Sequence, residues 1–226
     1  MDKLSNTQID QLGNRLRKGS PTEDDLRLLN RYRGSFTEAY ESVITVLREQ
    51  LQLEPTGRPA KSTHSIIEKL QRESIRLSQV QDIAGCRVVV AGIIEQDRAV
   101  MALRSIFADV SVVDRRKNPS YGYRAVHIIP RISVKLIEIQ IRTQLQHDWA
   151  EISEKLSDCV DPAIKYGGGP KEVQQGIADI SKEIASLEVL TQVVINLENL
   201  DARGVLKERK KRLEELEEES QNQENV

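Results

Sequence analysis

Two cysteines in 226 residues, in no metal-ligand spacing, exclude a disulfide framework and a thiolate zinc site. Cys86 lies within an apolar stretch and reads as a small core residue. Histidine is nearly as scarce, and His64, His127 and His147 are too few for a metal phosphohydrolase. No run of about 18 apolar residues occurs, so no membrane span is expected. The opening Met-Asp-Lys-Leu-Ser-Asn-Thr-Gln is polar and lacks the apolar centre of a signal peptide, so a cytoplasmic protein is the simplest reading. An excess of either charge is also missing. Lys+Arg total 33 against 35 for Asp+Glu, a formal net charge of −2 that gives no global nucleic-acid signature. There is no Gly-x-x-x-x-Gly-Lys loop, and Gly167, Gly168 and Gly169 precede Pro170 rather than opening a phosphate-cradling helix. No serine or cysteine nucleophile stands with partner residues.

What is present supports one core with helical extensions, at 38% apolar content. Ser20-Pro21-Thr22-Glu23 reads as an N-cap, a first-position proline and a capping glutamate. Leu26, Leu29 and Tyr32 follow at helical spacing, Gly34-Ser35 breaks the run, and Phe36, Tyr40, Val43, Ile44 and Leu47 form a second helical stripe. Tyr32, Phe36 and Tyr40 read as core rather than as a platform for nucleotides. Pro55 to Pro59 predicts a loop and Ser62 to Glu73 a short helix. Strands are expected over Arg87 to Ala91 and Val110 to Val113, separated by a helix from Ile94 to Phe107. A hairpin follows from Arg124 to Ile129 and Val134 to Ile141, turning around Pro130-Arg131, then a helix from Thr143 to Leu156. Beyond Pro170, Val173, Ile177, Ile180, Ile184, Leu187, Leu190, Val194 and Leu197 recur at threes and fours, predicting a long amphipathic helix suited to self-association. Lys207 to Arg212 then meets Glu214, Glu215 and Glu217 to Glu219, charge blocks of a solvated helix end with a frayed tail. The expected fold is α/β (α+β), a mixed sheet flanked by helices. Its parts are an N-terminal helical region over 1–56, a core over 57–166 and a C-terminal helical region over 167–226.

The most informative stretch is Ile137 to Ala150. Alternation puts Ile137, Ile139 and Ile141 on one face of a strand and Glu138, Gln140 and Arg142 on the other. A polar outer face is common on a half-buried strand. A second carboxylate, Asp82, enters a neighbouring apolar strand in Gln81-Asp82-Ile83-Ala84-Gly85-Cys86-Arg87, and two such carboxylates can share a magnesium ion that holds phosphates. Asp82 alone could be a turn cap. Glu138 could also accept a proton from an attacking hydroxyl. Arg58, Lys61, Lys69, Arg72 and Arg76 lie just ahead of that strand, a cationic group suited to phosphates although surface helices often carry such charge. A third group is Lys117-Asn118-Pro119-Ser120-Tyr121-Gly122-Tyr123-Arg124-Ala125-Val126-His127, where Tyr123 at a strand entrance can stack on a base. Tyr123, Ala125 and His127 share one face. His127 could equally be a satisfied sheet histidine.

Gln81 to Arg87, Gly122-Tyr-Arg-Ala-Val-His127 and Glu138-Ile-Gln-Ile-Arg-Thr143, followed by His-Asp-Trp149-Ala, together resemble the RelA/SpoT synthetase domain over about residues 20–160. The length is similar to that of single-domain small alarmone synthetases. The resemblance implies a nucleotidyltransferase-like fold that moves pyrophosphate from ATP to the ribose 3′-hydroxyl of GDP or GTP. It implies Mg2+ on Asp82 and Glu138, ATP held by Arg58, Lys61, Lys69 and Arg87, and the acceptor base on Tyr123 in a pocket shaped by Lys117, His127, Gln140 and Arg142. It also implies a homo-oligomer, dimer or tetramer, through the C-terminal helix. Departures from the pattern cluster on the acceptor side: Ala125 replaces a usual serine, Lys117 precedes Pro119 instead of following it, and Ser153-Glu154 stand where Glu-His is frequent. Arg58-Pro-Ala-Lys61 is one residue longer than the common spacing.

Two further acceptors fit the same chemistry: the 3′-CCA end of tRNA, with Arg115-Arg116-Lys117 or Lys207 to Arg212 as RNA contacts, and an adenosine nucleotide giving a ppApp-like product. A catalytically silent nucleotide-binding or coiled-coil module is the rival from another class. It would tolerate loss of a carboxylate, and both are present.

Overall fold

In the computed structural model, residues 4–224 are described; residues 1–3 and 225–226, and the side chains of Arg58, Asp201, Ala202, Leu206, Arg209 and residues 213–224, lie outside that set, so the expected ATP contact of Arg58 falls outside the described residues. Helix α1 (Asn6–Arg17) starts at a capping box in which Ser5 and Gln8 satisfy each other's backbone N–H groups. Helix α2 (Glu23–Gly34) starts at Thr22 with Asp25 as its reciprocal partner, two residues later than the cap expected at Ser20. The threonine wins because its hydroxyl reaches the Asp25 N–H and the Asp25 carboxylate returns the bond, whereas Pro21 has no N–H to be satisfied. Helix α3 (Thr37–Thr45) continues as a π-helical turn to Gln50.

Five strands follow the order β1-β2-β5-β4-β3. They are β1 (Thr56–Arg58), β2 (Ala84–Val90), β3 (Val110–Asp114), β4 (Val126–Ile132) and β5 (Lys135–Thr143). Between them lie α4 (Thr63–Arg72) and α5 (Ile93–Ile106), and after them α6 (Gln144–Cys159) and α7 (Lys171–Glu224). Strands β2 and β5 are parallel at the centre, and every other pairing is antiparallel. The structure therefore has the mixed, helix-flanked α/β sheet that the alternating pattern predicts.

Two expectations change. The segment read as a loop over Pro55–Pro59 contains β1, whose three residues gain strand geometry only by pairing with Gly85 to Arg87 of β2. The hairpin turns after Ile132, where Ser133 adopts φ 58°, and not around Pro130-Arg131. Pro130 sits inside β4 opposite Val110. Arg131 donates its N–H to Asp109 O at 2.9 Å, so the proline nitrogen faces the other way, towards β5, where pairing lapses between Ile128–Ile139 and Arg131–Leu136.

The core on one side of the sheet includes Ile137, Ile139 and Ile141, all fully buried, with α3 and α5 packed over them. Tyr32, Phe36 and Tyr40 belong to that same core, as does Cys86. Burial pushes the Cys86 thiol up to about 12, consistent with an inert packing role. A second, smaller cluster forms on the other side from Trp149, Ile164, Ile177 and Ile184, joining α6, the short 3-10 turn Pro162–Tyr166 and the first part of α7. No described helix is long and apolar enough to cross a membrane.

Candidate active site

The polar face of the sheet is assembled by register. Gly85 lies beside Glu138, Arg87 beside Gln140, and Gln140 also faces His127 across β4. At Gly85 a Cβ would meet the Glu138 carbonyl oxygen at 2.6 Å, so only glycine lets β2 approach β5 this closely next to the carboxylate. Arg58 occupies the β1 register position opposite Gly85.

Asp82 precedes β2 and is held between two ammonium groups, Lys61 Nζ at 2.8 Å and Lys69 Nζ at 2.9 Å. Burial works to raise its pKa, but Lys69 and Lys61 outweigh burial and hold it at about 2. Lys69 reaches Asp82 because Ser62 caps α4 and directs its last turn towards the entrance of β2. Glu138 accepts hydrogen bonds from His127 Nδ1 at 3.0 Å and from Gln140 Nε2 at 2.8 Å. Burial again works upward, while His127 and then Gln140 outweigh it and keep the carboxyl below the usual range, partly opposed by the negative charge of Asp82. The Asp82 charge is thus felt at Glu138.

From Glu138 a relay runs outward. With the carboxylate ionised, His127 Nδ1 donates to it and Nε2 accepts from the Tyr123 hydroxyl at 2.9 Å. Arg142 Nη2 donates to that hydroxyl at 3.1 Å and to Gln140 Oε1 at 2.9 Å. Burial raises the Tyr123 pKa, which keeps the phenol protonated. Arg142 is 3% exposed, and its Nε and Nη1, like Arg87 Nε, have no hydrogen-bond partner among the described residues. For Arg87, burial and then the like charge of Arg142 lower the pKa, with Glu154 and Glu151 opposing. A buried and a half-buried guanidinium that repel one another and keep N–H groups without a protein partner are suited to receive anionic oxygens.

Of the residues expected at the site, the structure gathers Lys61, Lys69 and Asp82 at one end and Arg87, Tyr123, His127, Glu138, Gln140 and Arg142 across the face. Lys117 is not joined to them by any hydrogen bond. It lies exposed after β3; burial works to raise the Asp114 pKa, and the Arg116 contacts, with a smaller contribution from the Lys117 charge, outweigh it and lower it. The run Arg115-Arg116-Lys117 also presents less free charge than its sequence implies, because Arg116 is bound to Asp97 at 2.7 Å and Asp114 at 2.8 Å. Sequence reasoning missed the roles of Trp149 and Gly122. The indole donates to Gly122 O at 2.9 Å and fixes the loop that carries Tyr123, while Gly122, at φ +79°, sits where a Cβ would strike Ile177 at 2.5 Å. The lone tryptophan inside a polar helix was the available signal. Arg72, expected among the phosphate contacts, lies 3.7 Å from the centre of the Tyr166 ring.

Among the described residues no group of three or more His, Cys, Asp or Glu could hold a metal. Two hard carboxylates, the charge of one felt at the other, nevertheless fit a magnesium ion, which takes one or two carboxylates and fills its remaining positions with water and phosphate oxygens.

Residues 57–157 match the family model described as a region found in RelA / SpoT proteins. An uncharacterized protein of Mycobacterium tuberculosis is 38% identical over 122 residues, which cover 52% of this chain and 45% of that one. The chain thus spans slightly less than half the length of its mycobacterial relatives. The GTP pyrophosphokinase YjbM of Bacillus subtilis is 33% identical over 151 residues, covering 59% of this chain and 67% of that one. The crystal structure of small alarmone synthetase 1 from Bacillus subtilis aligns with a TM-score of 0.56 at 26% identity, over 77% of this chain and 97% of that chain. By the matched region and these relatives, the chain belongs to the RelA/SpoT family.

Proposed function

We propose that the protein is a magnesium-dependent pyrophosphokinase that transfers the β,γ-pyrophosphoryl group of ATP to the ribose 3′-hydroxyl of GDP or GTP. The observation that carries this is the pairing of Asp82, set between Lys61 and Lys69, with Glu138, set between His127 and Gln140, on one sheet face that also holds two incompletely bonded arginines. The 3′-oxygen would attack the β-phosphorus, the bond from that phosphorus to the α–β bridging oxygen would break, and AMP would leave with the electron pair. Lys61, Lys69, Arg58 and Arg87 are assigned to the donor, and Tyr123, His127, Gln140, Arg142 and Lys117 to the acceptor side. Glu138 is assigned to orient the hydroxyl and receive its proton as the new bond forms; a carboxyl with a lowered pKa suits a late transfer better than prior deprotonation. Asp82 and Glu138 would hold magnesium, which when bound spreads the charge of the transferring phosphates.

Self-association through α7 belongs to the same proposal. Ile180, Leu187, Leu190, Val194 and Leu197 are all exposed on that helix, and a second copy would cover them. The corresponding division of labour is 1–56 as helical support, 57–166 as the synthetase core and 167–226 as the oligomerisation region.

The test offers γ-³²P-ATP and magnesium with GDP, GTP, ATP or deacylated tRNA in separate reactions. Label on a guanine nucleotide that disappears in Glu138→Gln supports the assignment. Label on tRNA or ATP alone overturns the acceptor. Binding without transfer under every condition overturns the enzyme.

A further inference from the structure

Helix α6 begins where β5 ends, because Thr143 closes the strand and caps the helix. Ala150, Ser153, Glu154 and Ser157 then recur at threes and fours, forming one stripe. This stripe lines a pocket of about 170 Å³, to which Tyr121 and Tyr123 also contribute. Ile164, Lys165 and Ile177 line it as well, so the pocket combines aromatic and apolar side chains with the polar groups of α6. The Tyr123 relay ends at Glu138, so a ligand with its base in this pocket and one sugar ring beyond it extends towards the catalytic carboxylates.

Two polar groups on the α6 wall await a partner. Ser153 Oγ is buried and makes no hydrogen bond. Glu154 lines the same pocket, is exposed, and forms no hydrogen bond or ion pair among the described residues, so its carboxylate is open to a ligand. A carboxylate accepts and does not donate. Guanine presents N1–H and a 2-amino group side by side, two donors for two carboxylate oxygens. Adenine presents the N1 lone pair there and would be repelled.

We propose that Glu154 reads the acceptor base, selecting a purine with donors at N1 and N2 and rejecting adenine, with the Ser153 hydroxyl bonding the base as well. This rests on the acceptor side of the function proposed above, and it adds the residue that sets base choice. It also turns a departure from the family pattern, Ser153-Glu154, into a specificity element.

The experiment measures equilibrium binding of GDP, IDP and ADP to the full chain by calorimetry, without ATP, for the wild type, Glu154→Gln and Glu151→Gln. Glu151 is the control, since it is also on α6 and also felt at Arg87. Thermal melts of the three proteins establish equal folding. The expected order for wild type is GDP tightest, IDP weaker for want of the 2-amino group, and ADP weakest. Glu154→Gln should weaken GDP by about 10- to 100-fold and bring it within a few-fold of IDP, as loss of a charged acceptor predicts. Glu151→Gln should keep the wild-type order. An unchanged GDP-to-IDP ratio in Glu154→Gln overturns the inference, as does a wild type that prefers ADP or binds none of the three. A Glu154-dependent preference without label transfer would sink the enzyme and leave this inference standing. Transfer to GDP with a base preference indifferent to Glu154 would do the reverse.

Discussion

On one face of β5, Ile137, Ile139 and Ile141 are sealed beneath α3 and α5; on the other, Arg142 is 3% exposed and no more accessible than many core residues. Both faces are withdrawn from water, by different means. The isoleucines are satisfied by contact and ask nothing further of a partner. The polar face is satisfied only in part, since Glu138, Gln140, His127 and Tyr123 bond one another while Arg142 and Arg87 keep N–H groups unused. Leaving charged donors unpaired costs stability, and a phosphate-bearing ligand is what would offset it. The difference teaches that burial by itself does not separate core from site. Unmet hydrogen-bonding capacity does.

Substitutions on the two faces should therefore fail in opposite ways. Glu138→Gln should lower transfer on the order of 10³-fold, about 4 kcal/mol of barrier, with little change in urea midpoint. Ile139→Ala should cost about 3 kcal/mol of stability in the same urea titration, leaving the turnover of the folded fraction near wild type. A Glu138 variant that unfolds and an Ile139 variant that is stable but inactive would erase the distinction.

Of the two faces of β5, only the polar one responds to acid, and Asp25 and Asp114, whose carboxyls are also held low, add acid sensitivity elsewhere. The folded Asp82 carboxyl is depressed to about 2, so its contribution is fully present above its unfolded value of 3.8 and is lost as pH falls between the two. About 2 kcal/mol of stability should disappear across that window, read from urea midpoints at successive pH. Asp82→Asn should flatten that part of the curve, and an equally steep curve in the variant would assign the acid sensitivity elsewhere. The smallest effect expected is that of Trp149→Phe, which keeps the packing of the ring but removes the bond to Gly122 O. A loss of about 1 kcal/mol should appear mainly as a raised KM for the acceptor, with that for ATP unchanged.

Glu138 and the isoleucine ladder were legible in the chain because alternation in β5 separates them without help from any other segment. Long-range partners were not legible. Strand β1 owes its existence to β2, and Pro130 is tolerated in β4 because its missing N–H falls where pairing with β5 lapses. At the site, Asp82 and Glu138 could be named from sequence. The grip of Lys61 and Lys69 on Asp82 depends on how α4 is set against the sheet, and the loss of Arg116 as a free cation depends on Asp97 from α5. Such facts belong to the packing of elements distant in sequence, which local periodicity does not encode.

Glu188, 5% exposed on α7, accepts hydrogen bonds from Thr143 Oγ1 at 2.5 Å and Gln146 Nε2 at 2.8 Å, and Gln96 Nε2 from α5 reaches Gln146 Oε1 at 2.8 Å. For anyone shortening this chain, that arrangement draws the line. A cut ahead of residue 188 would strip an acceptor from the cap that starts α6, opening the seam between the sheet and the wall of the base pocket. A cut after residue 200 would spare it and would also keep Ile180, Leu187, Leu190, Val194 and Leu197, so the apolar face proposed for self-association and the catalytic geometry would be retained together.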